Sequence, residues 1–502
     1  MDEDIDVGGF GNIKREFAEQ IANAAGIRIT KGFSIPKAVQ IFRKSKFREL
    51  RAYAAFLLLF TISTYYHRDF GQGNALRTSL QVSIFNTKYL ASESGQLISF
   101  DGINSIQDFW DFWKACLISN LFLSSSECTD DCDQSFGLHY LLHYNQIIQP
   151  LRIRQLRVNS IDIESCDVAL DMIVAGDNFR CWPSYSPQNE NRSDIVGWPN
   201  GVLTKYSSAE TIRTSPYGRN STTTYDGGGF VLDFRLGITK KKILQILDHL
   251  KQSQYIDFAT RAVFVDVCLY NPSVQFFTSV RILFEFLPYG DVRASSSIQV
   301  MKGAALPNSL EDAVLFYIDV VVYVLLVLFI FWDLKRIATV GWLHFRAFWN
   351  WISMLNYIIF SYTFIQRFLY LNLEPIRAFT EKLAKNESLQ KVYDFHAVGD
   401  QYQYISVLTG ISAFLCWIRI LSYFRYFDRD LSLLVSTIGN CATDTLSWFL
   451  TMSIVIFAFA QAFFLAFGPE VDGFDTVAQS VGTLCEWMFR RVNAADIIAV
   501  DQ

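Results

Sequence analysis

The spacing of the long apolar runs constrains this chain more than any other feature. One run covers Leu50–Tyr66, the next begins at Ala313, and the others crowd together before Gln502. The long interval between the first two carries sequons, cysteines and strand-like alternation. A bilayer core is about 30 Å thick, so only helical runs of about 17–25 apolar residues can cross it. One span, a folded insert and then a cluster of spans is the plan of a channel or receptor, not of a soluble enzyme. Composition agrees. The chain is 51% hydrophobic and 19% charged, too apolar for an ordinary soluble protein. A net charge of −5 leaves no basic excess for nucleic acid.

The spacing divides the chain as follows. Residues 1–49 read as a cytoplasmic tail. Met1–Gly9 is acidic with no apolar core after it, so no secretory leader is read and the first run serves as a signal anchor. Lys31, Lys37, Arg43, Lys44, Lys46 and Arg48 precede span 1 (50–66) and hold that end inside. Residues 68–311 then form an extracellular or lumenal α+β domain. Within it, helical spacing covers 108–123 and 240–251, and strands are expected over 228–236 and within 262–287. Span 2 (313–332) is closed by Asp333, Lys335 and Arg336, and span 3 covers 347–371. A polar connector, 372–400, returns outside. Span 4 (404–427), a linker (428–440) and span 5 (441–467) follow. A re-entrant helix is expected over 474–489, and residues 490–502 form a tail.

Asn191, Asn220 and Asn386 each head a glycosylation sequon, and all three fall on expected outside segments. Cys166 and Cys181 flank a short turn-rich stretch on the oxidising side and are the favoured disulfide. Cys128 and Cys132 form a second, weaker pair. Beside Asp130, Asp131 and Asp133 they read as a small disulfide loop, a metal-binding loop or an unpaired acidic surface loop. Ionisable residues inside spans are costly and face a cavity or a partner. Asp319 lies in span 2, and Arg419 and Arg425 in span 4. Pairing Asp319 with Arg419 is the simplest neutralisation, either in a voltage-sensor-like bundle or as a fixed ion pair. The six histidines are scattered, and Gly227-Gly228-Gly229 precedes a strand, as a turn does. No catalytic constellation, cofactor site or metal site is read.

Several stretches together resemble the polycystin cation channel family, polycystin-2-like within the TRP superfamily. They are Asp108-Phe109-Trp110 with its helix, the run Arg152–Val158, the run Tyr225–Asp233, Arg261–Phe286, Phe345–Asn350, and Ala458–Gln461 continuing to Gly468. The resemblance implies an α-helical integral membrane protein: a voltage-sensor-like bundle plus a partial pore domain, with an inserted α+β extracellular polycystin domain. It implies a homo- or hetero-tetramer of polycystin-family subunits in the lipid bilayer, with a polycystin-1-like partner. Ca2+, Na+ and K+ would permeate a full-length form. The home would be the plasma membrane, the ciliary membrane or the endoplasmic reticulum. The family's ectodomain disulfide lands on Cys166 and Cys181, its span 2 acid on Asp319 and its span 4 base on Arg419.

Three departures from that pattern shape the functional expectation. Ser353 stands where the family carries an Asp in span 3. Phe489-Arg490-Arg491 stands where it carries a Leu-Gly-Asp filter. In a tetramer those arginines would ring one constriction; at ~10 Å and an effective dielectric of about 20, each charge costs a cation about 1–2 kcal/mol. The chain also stops shortly after the re-entrant helix, so a pore-incomplete form that does not conduct alone is expected. The alternative is a non-conducting receptor or regulatory subunit that pairs through its ectodomain.

Overall fold

A computed structural model describes residues 35–66, 70–121, 140–141, 144–162, 180–194, 205–218, 223–302, 310–346, 348–384, 389–424, 429–468, 471 and 473–488. The chain divides into two compact units, one of residues 56–335 and 351–415, the other of residues 1–55, 336–350 and 416–502.

The first unit is centred on an eight-stranded antiparallel sheet among the described residues. Its strands are β1 (Tyr140–Leu141), β2 (Asn145–Ile147), β3 (Leu151–Arg157), β4 (Tyr206–Ser207), β5 (Gly229–Phe234), β6 (Thr260–Asn271), β7 (Phe276–Phe286) and β8 (Val292–Lys302). The order is β8-β7-β6-β3-β5-β4, with β2 also on β6 and β1 on β2. The apolar stretch 262–287 becomes two long strands because Asn271-Pro272-Ser273 turns the chain. Asn271 Oδ1 accepts from Ser273 N–H at 3.0 Å, and Gln275 takes φ 57°. β8 is an edge strand in which Ser295, Ser296 and Ser297 run together and break the apolar alternation of Val292, Ala294, Ile298 and Val300, and it was not read from the sequence.

Alternation gives the sheet two different faces. Val263, Val265, Val267, Val280, Ile282 and Phe284 enter the main core with Leu151 and Ile153. That face is covered by α2 (Phe70–Ile84), by α3 (Ile106–Phe112), and by α4 (Lys240–Gln252). The helix expected over 108–123 starts at Ile106 and passes through a π-turn, Trp113–Leu117, before ending at Leu121. Ser105 caps it by accepting from Asp108 N–H at 3.1 Å. Burying side chains such as Phe109 and Trp113 stabilises the domain by about 1.5–3 kcal/mol each. α4 agrees with its expected span, with Ile243, Leu247 and Leu250 inward.

The opposite face is covered by loops and by the connector after span 3. That connector is not merely a polar loop. It contains α7 (Glu374–Ala384), and Ile376, Phe379, Leu389, Phe395 and Val398 pack on Ile148, Cys268, Phe277 and Met301 of the sheet domain.

Long helices complete the chain: α1 (Ile35–Tyr66), α5 (Leu310–Val340), α6 (Phe348–Leu371), α8 (Phe395–Phe424) and α9 (Arg429–Phe467). Among the described residues, three stretches are long and apolar enough to cross a membrane: Val314–Thr339, Phe395–Tyr423 and Asp444–Phe467. The linker expected over 428–440 and span 5 lie on the single helix α9. At about 1.5 Å per residue its 39 residues reach ~58 Å, so it outruns a bilayer core. In the second unit, α10 (Val477–Met488) folds back on α9.

Candidate functional site

Polar chemistry is concentrated in three places. The first is on α5. The Ser63 hydroxyl donates to Asp319 Oδ1, and Arg367 Nη1 lies 3.5 Å from Asp319 Oδ2. Arg367 Nη1 also donates to the Tyr323 hydroxyl at 3.4 Å. Around them is a cavity of about 20 Å³, the size one water requires, lined also by Thr363, Thr409 and Ser412. The Ser412 hydroxyl is buried there without a hydrogen-bond partner among the described residues. Arg367 of α6 is thus a cationic partner of Asp319, one that the sequence reading, which paired Asp319 with Arg419, did not name. Arg367 was legible as a charge inside span 3, but nothing local gives its rotation toward α5.

Arg419 belongs to the other unit. Its guanidinium lies over the Tyr53 ring, 5.1 Å from the centroid, and the Tyr53 hydroxyl donates to Cys416 O at 2.9 Å. Arg425 lies outside the described residues. In the same unit, α10 is half a bilayer long, ~18 Å. Phe474, 1% exposed, anchors its approach, with ring centroids 5.7 Å from Phe463 and 5.6 Å from Trp487. Thr476 caps α10 by accepting from Gln479 N–H at 3.2 Å. Gly473 holds φ +101°, and its carbonyl accepts from Thr483 Oγ1 at 3.0 Å. A span-length helix, a tight turn and a half-length helix packed back on it form a re-entrant element. Phe489, Arg490 and Arg491, at the filter position, lie outside the described residues.

The third place is the loop-covered face of the sheet. Arg152 makes a two-pronged pair with Asp233, at 2.7 and 2.8 Å. Arg281 pairs likewise with Asp266, at 2.6 and 3.1 Å, and reaches Asp394 Oδ1 at 3.1 Å. Burial opposes ionisation of Asp266, but the charge and hydrogen bonds of Arg281, with Arg154 behind, hold its carboxyl below the usual range. Arg154 is fully buried over the Phe264 ring, at 4.1 Å. Burial first, then the charge of Arg281, push it down to about 10. None of these groups was singled out from sequence as a site.

Of the covalent sites, Cys181 lies on a two-residue strand, Arg180–Cys181, and is disulfide-bonded. Cys166, Cys128 and Cys132 lie outside the described residues, as do Asn220 and Asn386. Asn191 is half-buried; its Oδ1 accepts from Ser193 N–H at 3.0 Å and Ser193 Oγ at 2.6 Å.

Comparison with known proteins places these features. Residues 99–302 match the polycystin domain model and residues 310–501 the polycystin cation channel model. The chain is 26% identical over 445 residues to human polycystin-2-like protein 1, covering 88% of this chain and 52% of that protein. It is 28% identical over 385 residues to mouse polycystin-2-like protein 2, covering 76% and 59%. To zebrafish (Danio rerio) polycystin-2 it is 26% identical over 469 residues, covering 91% and 49%. The chain spans about half the length of the curated relatives it matches. With a sheet-rich domain and a cation-channel region in the family's order, the chain belongs to the polycystin cation channel family.

Proposed function

We propose that this chain is a polycystin-2-like subunit of a non-selective, calcium-permeable cation channel. The observation that carries this reading is the α9–turn–α10 element, which lies inside the matched channel region. In this reading α1, α5, α6 and α8 form a voltage-sensor-like bundle, with Asp319, Arg367 and Arg419 as its internal charges. The domain over 68–311 lies outside, with a Cys166–Cys181 disulfide and glycans on Asn191, Asn220 and Asn386. Four subunits assemble, homomerically or with a polycystin-1-like partner, in the plasma, ciliary or reticular membrane.

Arg490 and Arg491 favour a second reading. A ring of arginines opposes cations, so the subunit would be regulatory and non-conducting by itself. Whole-cell recording separates the two. The chain is expressed in its full-length setting, with and without a polycystin-1-like subunit. A second arm carries Arg490→Gly with Arg491→Asp. The channel reading expects a calcium-carrying current from the unaltered subunit. The regulatory reading expects none alone, and current at least about tenfold larger with the double substitution. Surface-delivered protein silent in every arm would sink the channel assignment.

A further inference from the structure

The charges on the loop-covered face lie in one transverse row. Asp233 of β5 is opposite Arg152 of β3, Arg152 is opposite Asp266 of β6, and Asp266 is opposite Arg281 of β7. Directly opposed residues share a face and lie about 4.5–5.5 Å apart, so the signs alternate along one line across four strands. Asp394 adds a fifth member from outside the sheet, through Arg281 at 3.1 Å. The last pair is sequestered, with Arg281 and Asp394 side chains 3% and 6% exposed. Such a pair is not screened as a surface pair would be.

Asp394 immediately precedes α8 and caps it. Its Oδ1 accepts from Ala397 N–H at 3.2 Å while Oδ2 accepts from Ser215 N–H at 2.8 Å. One carboxylate therefore closes the first turn of α8 and terminates a charge row fixed in the sheet. The contact continues one turn on, where Gln299 of β8 donates to Asp400.

We propose that Arg281 is a positioning residue for α8, holding the start of that helix in register with the sheet domain through Asp394. A displacement of β6 and β7 is then carried to the helix that bears Arg419. The conduction consequence rests on the channel reading above; the positioning itself does not.

The test uses the whole chain in lipid nanodiscs and amide hydrogen exchange. Asp394→Asn keeps the volume and the Oδ1 acceptor for Ala397 N–H, removes the negative charge facing Arg281, and puts a donor where Oδ2 accepted from Ser215 N–H; Arg281 stays on Asp266, so the fold survives. The expected result is exchange about tenfold faster over the first turn of α8, with β6 and β7 unchanged. Arg213→Ala, which breaks an exposed pair with Glu374, serves as the control and leaves α8 within about twofold. Unchanged exchange at α8 in Asp394→Asn would mean that the apolar contacts of Phe395 and Val398 suffice, and overturns the proposal. Equal acceleration through β6 and β7 overturns it too, since the row would then be a stabiliser of the sheet alone. In recordings, Asp394→Asn is expected to change open probability at fixed voltage about fivefold. An unaltered activation curve refutes the transmission to gating. Absence of wild-type current refutes the channel reading instead, and the exchange result still decides the positioning.

Discussion

Gly227 shows why single positions in the sheet domain tolerate so little. A Cβ there would lie 1.9 Å from Thr214 O, and one on Gly229 would meet Gln155 O at 2.7 Å with φ already at +143°. Backbone cannot yield as a flexible side chain can, so Gly227→Ala costs about 3 kcal/mol. Thermal unfolding of the purified protein measures this, and an unchanged midpoint would contradict the geometry. The sequence showed a turn before a strand here, and β5 does begin at Gly229. It did not show the approach of Thr214, a contact made by a loop that passes over the turn. Asp319 teaches the same lesson: its need for a partner was legible from its apolar surroundings, while the choice of Arg367 depended on helix rotation.

At the scale of elements, the β6–β7 pair carries both the apolar core and the charge row. Its odd and even positions face opposite environments, both dry, which is why 262–287 reads as a nearly continuous apolar run. The row makes stability depend on acid. The Asp266 carboxyl is held low when folded, so its contribution is complete above the unfolded carboxylate value, ~3.9, and is lost as pH falls through the lower folded value. Fluorescence-monitored acid unfolding should therefore show a stability loss below about pH 4 that Asp266→Asn flattens. The same acid slope in the variant would assign the effect to other carboxylates. Strong apolar period made α4 and the long helices legible. β8 escaped because Ser295, Ser296 and Ser297 interrupt its alternation, and the α9 linker because a polar amphipathic stretch reads like a break when the helix simply continues.

For the whole molecule, the covalent link at Cys181 lies far from any membrane helix in sequence, on a short strand that pairs with Ile161–Asp162. Losing a disulfide in such a domain typically costs about 2–5 kcal/mol. Cys181→Ser is thus expected to reduce surface biotinylation several-fold. Surface delivery equal to wild type would show that the domain folds without the bond.

The length and spacing of apolar runs, the sequons and the family motifs are properties of neighbouring residues, and the chain by itself determined them. A helix long enough to cross a bilayer, or a glycine-rich turn before a strand, needs no distant partner. The row of charges is different. Its members come from β3, β5, β6, β7 and the residue before α8, and they meet only because strand register aligns them. Ion pairs and hydrogen bonds act over a few ångströms, so their partners are decided by tertiary packing. Only that packing shows that the sheet domain holds the first turn of α8.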